Sequence, residues 1–351
     1  MKTRAAHAET NPAGLLTRYG QELEVRLSEW LDAGDEEGLD SLWRQSRQSV
    51  REYVLRPAKR VRPTLLTLGW LMARPDGMRG EIPEALLSFG AGLELLHTFM
   101  LVHDDVADRA ATRRGGAALH ELFGGGKQGD DLAVLAGDHL YARAVELMLS
   151  SPESVAATRY MLEVCRHTAA GQHLDLVLSR APLSTVTLFR TLKVADLKTA
   201  RYGFVAPLAC GAMLAGGSPA LIDSLKRVGR HAGLAYQLRD DLIGLLGDAA
   251  TAGKPCGGDY LEGKRTFPVI AAWTRADAEG REALESLWEA PNEARLATAR
   301  ELVKTWGGAS STQKVIDTRT RAATRALDAL GDSAGAAMLR HLFDGLARRN
   351  S

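Results

Sequence analysis

The chain has 351 residues, 45% hydrophobic and 25% charged, with a formal charge of +1, the make-up of an ordinary globular protein. A charge so near zero supplies no global field for nucleic acid or an anionic membrane surface, so any anion site must be local. Three widely spaced cysteines, Cys165, Cys210 and Cys256, form no CxxC pair, which argues against a disulfide framework or a cysteine zinc site and fits buried thiols in a reducing cytoplasm.

Residues 1–13 are polar and small, without the apolar stretch of a signal peptide, and are expected to form a flexible tail. No uninterrupted apolar run approaches the ~18 residues of a membrane span. A soluble protein with no transmembrane segment is expected. Leu15 to Leu31 is amphipathic, and Asp35–Gly38 breaks the pattern. Glu81 to Asp108 carries Pro83 near its first turn, where proline is tolerated. Its apolar residues, from Leu86 to Met100, lie almost all round the helix, as in the interior of a large bundle.

Further helices are expected over Asp131–Leu149, Pro152–Ser179, Ser184–Leu214 and Pro219–Leu246, with Pro207 kinking or splitting the third. Breaks fall at Gly124–Gly126, Gly216–Pro219 and Gly247–Gly258. Three or four amphipathic helices follow Ala278. There are no hairpin signals, no strand alternation and no repeats. The fold class is all-α, and residues 14–351 read as one domain; a boundary near residue 275 is the alternative.

The informative stretch is His103-Asp104-Asp105-Val106-Ala107-Asp108, followed by Arg113-Arg114-Gly115. On a helix, Asp104 and Asp108 share a face one turn apart, with Asp105 beside them. Carboxylates ending an apolar helix are costly unless cations neutralise them. Magnesium typically takes one or two carboxylates and completes its shell with water and substrate phosphate. The arginines can hold phosphate by bidentate hydrogen bonds. A second pair, Asp240-Asp241, follows Gln237 near the end of another apolar helix and precedes Gly253-Lys254-Pro255 and Gly263-Lys264-Arg265. Two such helix ends facing each other could clamp a metal cluster on one diphosphate.

With these landmarks the chain resembles the polyprenyl synthetase family of trans-isoprenyl diphosphate synthases. Lys59-Arg60-Val61-Arg62-Pro63, the first aspartate-rich motif, Gly171-Gln172-His173-Leu174-Asp175, Lys198-Thr199 and the second motif come in the family's order. The resemblance implies an isoprenoid-synthase-type helical bundle around a deep central cavity, and a homodimer. It also implies condensation of isopentenyl diphosphate with an allylic diphosphate, with three magnesium ions per site.

By similarity, Asp104, Asp108, Asp240 and Asp241 bind magnesium, with Asp105 supporting the first pair. Arg113, Lys198, Thr199, Gln237, Lys254 and Lys264 would hold the allylic diphosphate. Lys59, Arg62, His97 and Arg114 would hold isopentenyl diphosphate, and Gln172 and Asp175 would support the site. Phe99, Met100 and Leu96, just before the first motif, would floor the chain pocket, resembling enzymes that stop at C20, with C15 next. Two departures stand out: Pro57-Ala58 where the family often has two glycines, and Gly244 where it often has a third aspartate. Asp248 is a candidate to make good that loss. A class I terpene cyclase and a non-catalytic partner subunit are the alternatives; the cyclase has no need of Lys59, Arg62 and Arg114.

Overall fold

Why should Glu84–Asp108 be the central helix of its half of the chain? Nine of its residues from Leu86 to Leu96 are apolar and at most 3% exposed, or are glycine, and each large one contributes about 1.5–3 kcal/mol on burial. In the computed structural model, residues 12–32, 40–74, 81–247 and 257–347 are described. Lys254, Asp248, Cys256, the Asp35–Gly38 break and residues 1–11 of the tail lie outside them.

The chain divides into two compact units, Met1–Arg159 with Cys210–Gly217, and Tyr160–Ala209 with Ser218–Ser351. The first contains α1 (Pro12–Asp32), α2 (Ser41–Leu55), α3 (Val61–Ala73), α4 (Glu84–Asp108), a short hairpin of β1 (Thr112–Arg113) and β2 (Gly116–Ala117), α5 (Leu119–Leu122) and α6 (Gly126–Met148). Helix α4 packs on α1, α3 and above all α6. Close approach to α6 depends on glycine: a Cβ on Gly92 would lie 2.7 Å from the Ala144 carbonyl, and one on Gly137 would lie 2.5 Å from His103 Nε2.

Helix α4 is the one described helix long and apolar enough to cross a membrane, and 72% of its apolar window is buried inside the protein. Helix α7 (Val155–Leu178) leads into the second unit. There follow α8 (Leu188–Val194), a π-helix (Ala195–Val205), α9 (Ala206–Leu214), α10 (Pro219–Leu246), α11 (Gly258–Leu261), α12 (Phe267–Arg275), α13 (Ala278–Glu289), α14 (Glu293–Thr305), α15 (Gly308–Asp328) and α16 (Ala334–Ala347). Helix α10 is the axis of this unit, flanked by the π-helix and α15. A core of Tyr260, Ile270, Leu284 and Trp288 lies beneath α11 to α13.

The all-α expectation holds, and four helices follow residue 277. Three local readings need correction. A hairpin is present, turned by Arg114 (φ 53°) and Gly115 (φ 76°), the left-handed pair of a two-residue hairpin loop; its strands are too short for alternation to show. Helix α6 begins at Gly126 rather than Asp131, and Lys127 in its first turn pairs with Asp131. Ser184–Leu214, expected as one helix kinked or split at Pro207, begins its helix at Leu188 and is divided into α, π and α stretches. It passes into a π-helix at Ala195 and resumes α geometry at Ala206, so the change of helix type falls beside Pro207.

Candidate active site

The C-terminus of α4 carries the negative end of the helix dipole, where aspartates are least welcome. Arg109 closes the helix in left-handed conformation (φ 54°), and the Ala110 amide donates back to the Asp105 carbonyl at 2.9 Å. Asp104 and Asp108 are half-buried on one face. Asp105 differs: it is fully buried and takes the Tyr53 hydroxyl at 2.8 Å, Arg113 Nε at 2.7 Å and Arg113 Nη2. Both oxygens are therefore used within the protein, and Asp105 fixes Arg113 rather than presenting a bare carboxylate. Arg56, 8% exposed, braces the hairpin beneath by donating to the Arg113 and Ala117 carbonyls at 2.9 and 2.7 Å.

Around this helix end is a basic set. Lys59 is exposed and Arg62 half-buried at the start of α3. Arg60 between them, in left-handed conformation (φ 43°), is held by Glu24 and by Glu94, which is 1% exposed. That pair anchors the start of α3 to α4. Burial, reinforced by Arg62, Arg114, Arg113 and Arg60, holds the His97 imidazole well below its ordinary range, so the ring is neutral near pH 7. Arg114 Nη1 is buried without a hydrogen-bond partner. An orphaned guanidinium nitrogen beside other cations fits an incoming anion such as a phosphate oxygen.

In the second unit Asp240 and Asp241 stand near the end of α10. Asp240 is half-buried and Asp241 8% exposed. Gln237 Nε2 donates to Asp241 at 2.7 Å, and Gln237 Oε1 accepts from the Thr199 hydroxyl at 2.6 Å. Lys198 Nζ lies 3.0 Å from Asp175. Both Lys198 and Thr199 sit on the π-helix, a form frequent at functional sites. This π-helix lies close to α7 and α10 because glycines leave room: a Cβ on Gly171 would lie 2.7 Å from the Lys198 nitrogen, and one on Gly233 2.6 Å from Ala200 Cα. Gln172 is half-buried one turn before Asp175.

Burial, then the neighbouring Asp259 charge, pushes the Asp241 carboxyl well above its ordinary value, with Gln237 opposing and Asp240 and Asp175 adding. Asp259 itself is pushed up to about 6 by burial, partly offset by Lys264 and raised again by Glu262, Asp240 and Asp175. Lys264 is in close contact with Glu262 and 3.9 Å from Asp259.

Among the described residues no three acidic, histidine or cysteine side chains form a ready-made metal cage. That suits an ion completed by water and substrate oxygens. Asp104 and Asp108 stand half-buried at the end of α4 in the first unit, and Asp240 stands half-buried at the end of α10 in the second. Sequence reasoning missed Tyr53, Arg56, Glu94 and Asp259. Glu94 had a signal, as a lone acid in an apolar run; the others are supplied by separate elements.

The chain matches the Polyprenyl synthetase family profile over residues 44–305. It is 30% identical over 328 residues to the short chain isoprenyl diphosphate synthase of Methanothermobacter thermautotrophicus, covering 92% of this chain and 97% of the relative. It is 38% identical over 256 residues to the geranylgeranyl diphosphate synthase of Mycobacterium tuberculosis, 71% of this chain and 70% of the relative. The crystal structure of geranylgeranyl pyrophosphate synthase from Corynebacterium glutamicum, complexed with isoprenyl diphosphate and magnesium, superposes with a TM-score of 0.84 at 30% identity. It covers 95% of this chain and 99% of that one. With both aspartate pairs, the paired arginines and the profile match in agreement, the chain belongs to the polyprenyl synthetase family.

Proposed function

We propose that this protein is a magnesium-dependent prenyltransferase. It condenses isopentenyl diphosphate with dimethylallyl, geranyl or farnesyl diphosphate to give a short all-trans product, with geranylgeranyl diphosphate (C20) as the end product and farnesyl diphosphate (C15) as the runner-up reading. One observation carries the reading: in each unit a long apolar helix ends in a half-buried aspartate beside a buried, anchored one, accompanied by basic side chains.

Asp104, Asp108 and Asp240 would hold magnesium, with Asp241 behind Asp240; bound magnesium would supply neutralisation of charge on the departing diphosphate. Arg113, fixed by Asp105, presents a guanidinium to the allylic diphosphate, and Lys198, Thr199, Gln237, Lys254 and Lys264 complete that set. The Thr199–Gln237–Asp241 chain of hydrogen bonds orients the amide. Breaking the allylic C–O bond leaves a carbocation, which the double bond of isopentenyl diphosphate attacks to form the new C–C bond. The departing diphosphate takes the proton that is then lost. Lys59, Arg62 and Arg114 would hold the second diphosphate, and neutral His97 can donate a hydrogen bond there. The orphaned Arg114 nitrogen favours a two-substrate site over a cyclase, which binds one diphosphate.

Product length rests on α4. Leu96 and Met100 stand two turns and one turn before Asp104 on its face. The Phe99 ring packs on His103 (centroids 4.6 Å apart) and Tyr141 (5.2 Å), a placement that keeps it rigid. Mass spectrometry of products from the purified protein with magnesium, isopentenyl diphosphate and each primer tests the reading. A C20 end product is expected, and Phe99→Ala should lengthen it. An unchanged product distribution in that variant overturns the floor assignment. No elongation from any primer by folded protein overturns the function.

A further inference from the structure

The π-helix Ala195–Val205 meets α7 and α10 at two levels. At one, Lys198 pairs with Asp175 of α7, and the Thr199 hydroxyl donates to Gln237 of α10. At the other, Arg201 Nη1 donates to His167 Nδ1 of α7 at 3.2 Å, and Asp196 accepts from Arg230 Nε of α10 at 2.7 Å. His167 precedes Asp175, and Arg230 precedes Gln237, by about two turns, so the second level lies roughly 11 Å from the first along both helices. The candidate active site accounts for the first level and leaves the second without a role.

A cavity of about 270 Å³ opens at this second level, and its wall is basic: Arg201, Lys226, Arg227 and Arg230 line it, with His167 and Tyr160. The Asp196 carboxylate, 2% exposed, accepts from Arg201 Nε at 3.0 Å and from Arg230 Nε and Nη2 at 2.7 and 3.3 Å. One buried acid thus fixes two guanidinium groups and neutralises the charge of one. Among the described residues, Arg201 Nη2 and Arg230 Nη1 have no hydrogen-bond acceptor. Arg227 bonds the Ser224 hydroxyl at 2.7 Å and no carboxylate. Lys226 Nζ lies 4.8 Å from the centre of the Tyr160 ring and 3.2 Å from Asp223, a carboxylate 63% exposed. Arginine has no acceptor, so His167 Nδ1 accepts, and a neutral ring then carries its proton on Nε2 as a further donor. The one acid in the wall, Glu163, is exposed.

Two explanations compete for this wall. In one, its bases are solvated surface charges that tie α7 and α10 to the π-helix. That covers Arg230, but a single arginine would neutralise Asp196, and Lys226 and Arg227 take no part in the junction. We propose that the cavity binds a phosphate group, free or carried by a small phosphorylated molecule. The two guanidinium groups fixed by Asp196 offer paired donors to its oxygens. Lys226 and Arg227 stand one turn before Arg230 and add charge on the same face of α10. The site is separate from the residues assigned to either diphosphate substrate, and the inference does not rest on the prenyltransferase reading.

The test is equilibrium dialysis of the full chain, in chelator, against radiolabelled inorganic diphosphate and, separately, glycerol phosphate. The double variant Lys226→Gln with Arg227→Gln should weaken one class of site by about tenfold or more, the scale of losing charge-assisted hydrogen bonds. Glu163→Gln should tighten the same class by about threefold, because it removes the negative charge from the wall. The control Lys314→Gln with Arg321→Gln, an exposed basic pair on α15, should change neither probe's binding, which separates a site from the pull of net charge. The substituted side chains are exposed or half-buried, and circular dichroism checks that each variant is folded. A loss confined to diphosphate assigns the cavity to the free anion, and a loss that includes glycerol phosphate assigns it to phosphorylated molecules; both support the proposal. Binding unchanged in the first double variant, weakened equally in the control, or absent from wild type overturns it.

Discussion

The two aspartate pairs look alike in sequence and differ in how their buried member is neutralised. Asp105 is met by a guanidinium and a tyrosine hydroxyl, so its charge is compensated inside the protein. Asp241 is met by the neutral amide of Gln237 and faces further carboxylates, which push it well above the ordinary range. The first pair is a finished piece of structure that fixes an arginine. The second is an acidic cluster whose lysines, Lys198 and Lys264, pair with Asp175 and with Glu262 and Asp259, while Asp241 itself has only the Gln237 amide. Similar motifs can therefore carry different shares of scaffold and ligand work.

The comparison can be broken by substitution. Asp104→Asn and Asp240→Asn should each lower kcat/KM by about a thousandfold, the scale of removing preorganised stabilisation of leaving-group charge; a loss confined to one variant would mean that only one pair serves the reaction. Arg113→Gln should destabilise the fold by about 3 kcal/mol, because it strands a buried carboxylate, measured by denaturant unfolding in chelator. Gln237→Leu should cost less, about 1 kcal/mol, since a neutral hydrogen bond is lost and Asp241 can take up a proton. Equal costs would contradict the contrast. Tyr53→Phe should fall in the same range, about 1 kcal/mol, with Arg113 still in place.

The smallest effect is one of pH. Asp259 titrates at about 6 in the folded chain, above the ~4 of an unfolded aspartate. Its ionisation above that value disfavours the folded state, and the penalty fades as pH falls through about 6. In chelator, Asp259→Asn should therefore be more stable than wild type at about pH 8, with the two converging toward about pH 4. A constant difference across that range would mean that the carboxylate feels no such field.

Much of this was legible in the chain itself. Apolar residues spaced around α4 and α10 announced buried helices, and aspartates at their ends stood out because charge there is expensive. The motifs from Lys59 to Lys264 then supplied the family. What escaped notice lay across elements or below the reach of periodicity. Tyr53 in α2 and Arg56 just past its end act on Asp105 and the hairpin, more than fifty residues away in sequence, and no pattern in that stretch marks them. The π-helix is set by i→i+5 hydrogen bonds over Ala195–Val205, and the apolar pattern of so short a stretch does not distinguish it from an α-helix. Gly244 was visible as a missing aspartate, but the approach of Asp259 to it is a fact of packing.

The most direct measurement is incorporation of isotopically labelled isopentenyl diphosphate into farnesyl diphosphate by the purified protein, with and without magnesium. The account predicts a labelled C20 diphosphate that appears only with the divalent ion. Folded protein that binds both diphosphates and magnesium yet forms no carbon–carbon bond would contradict it.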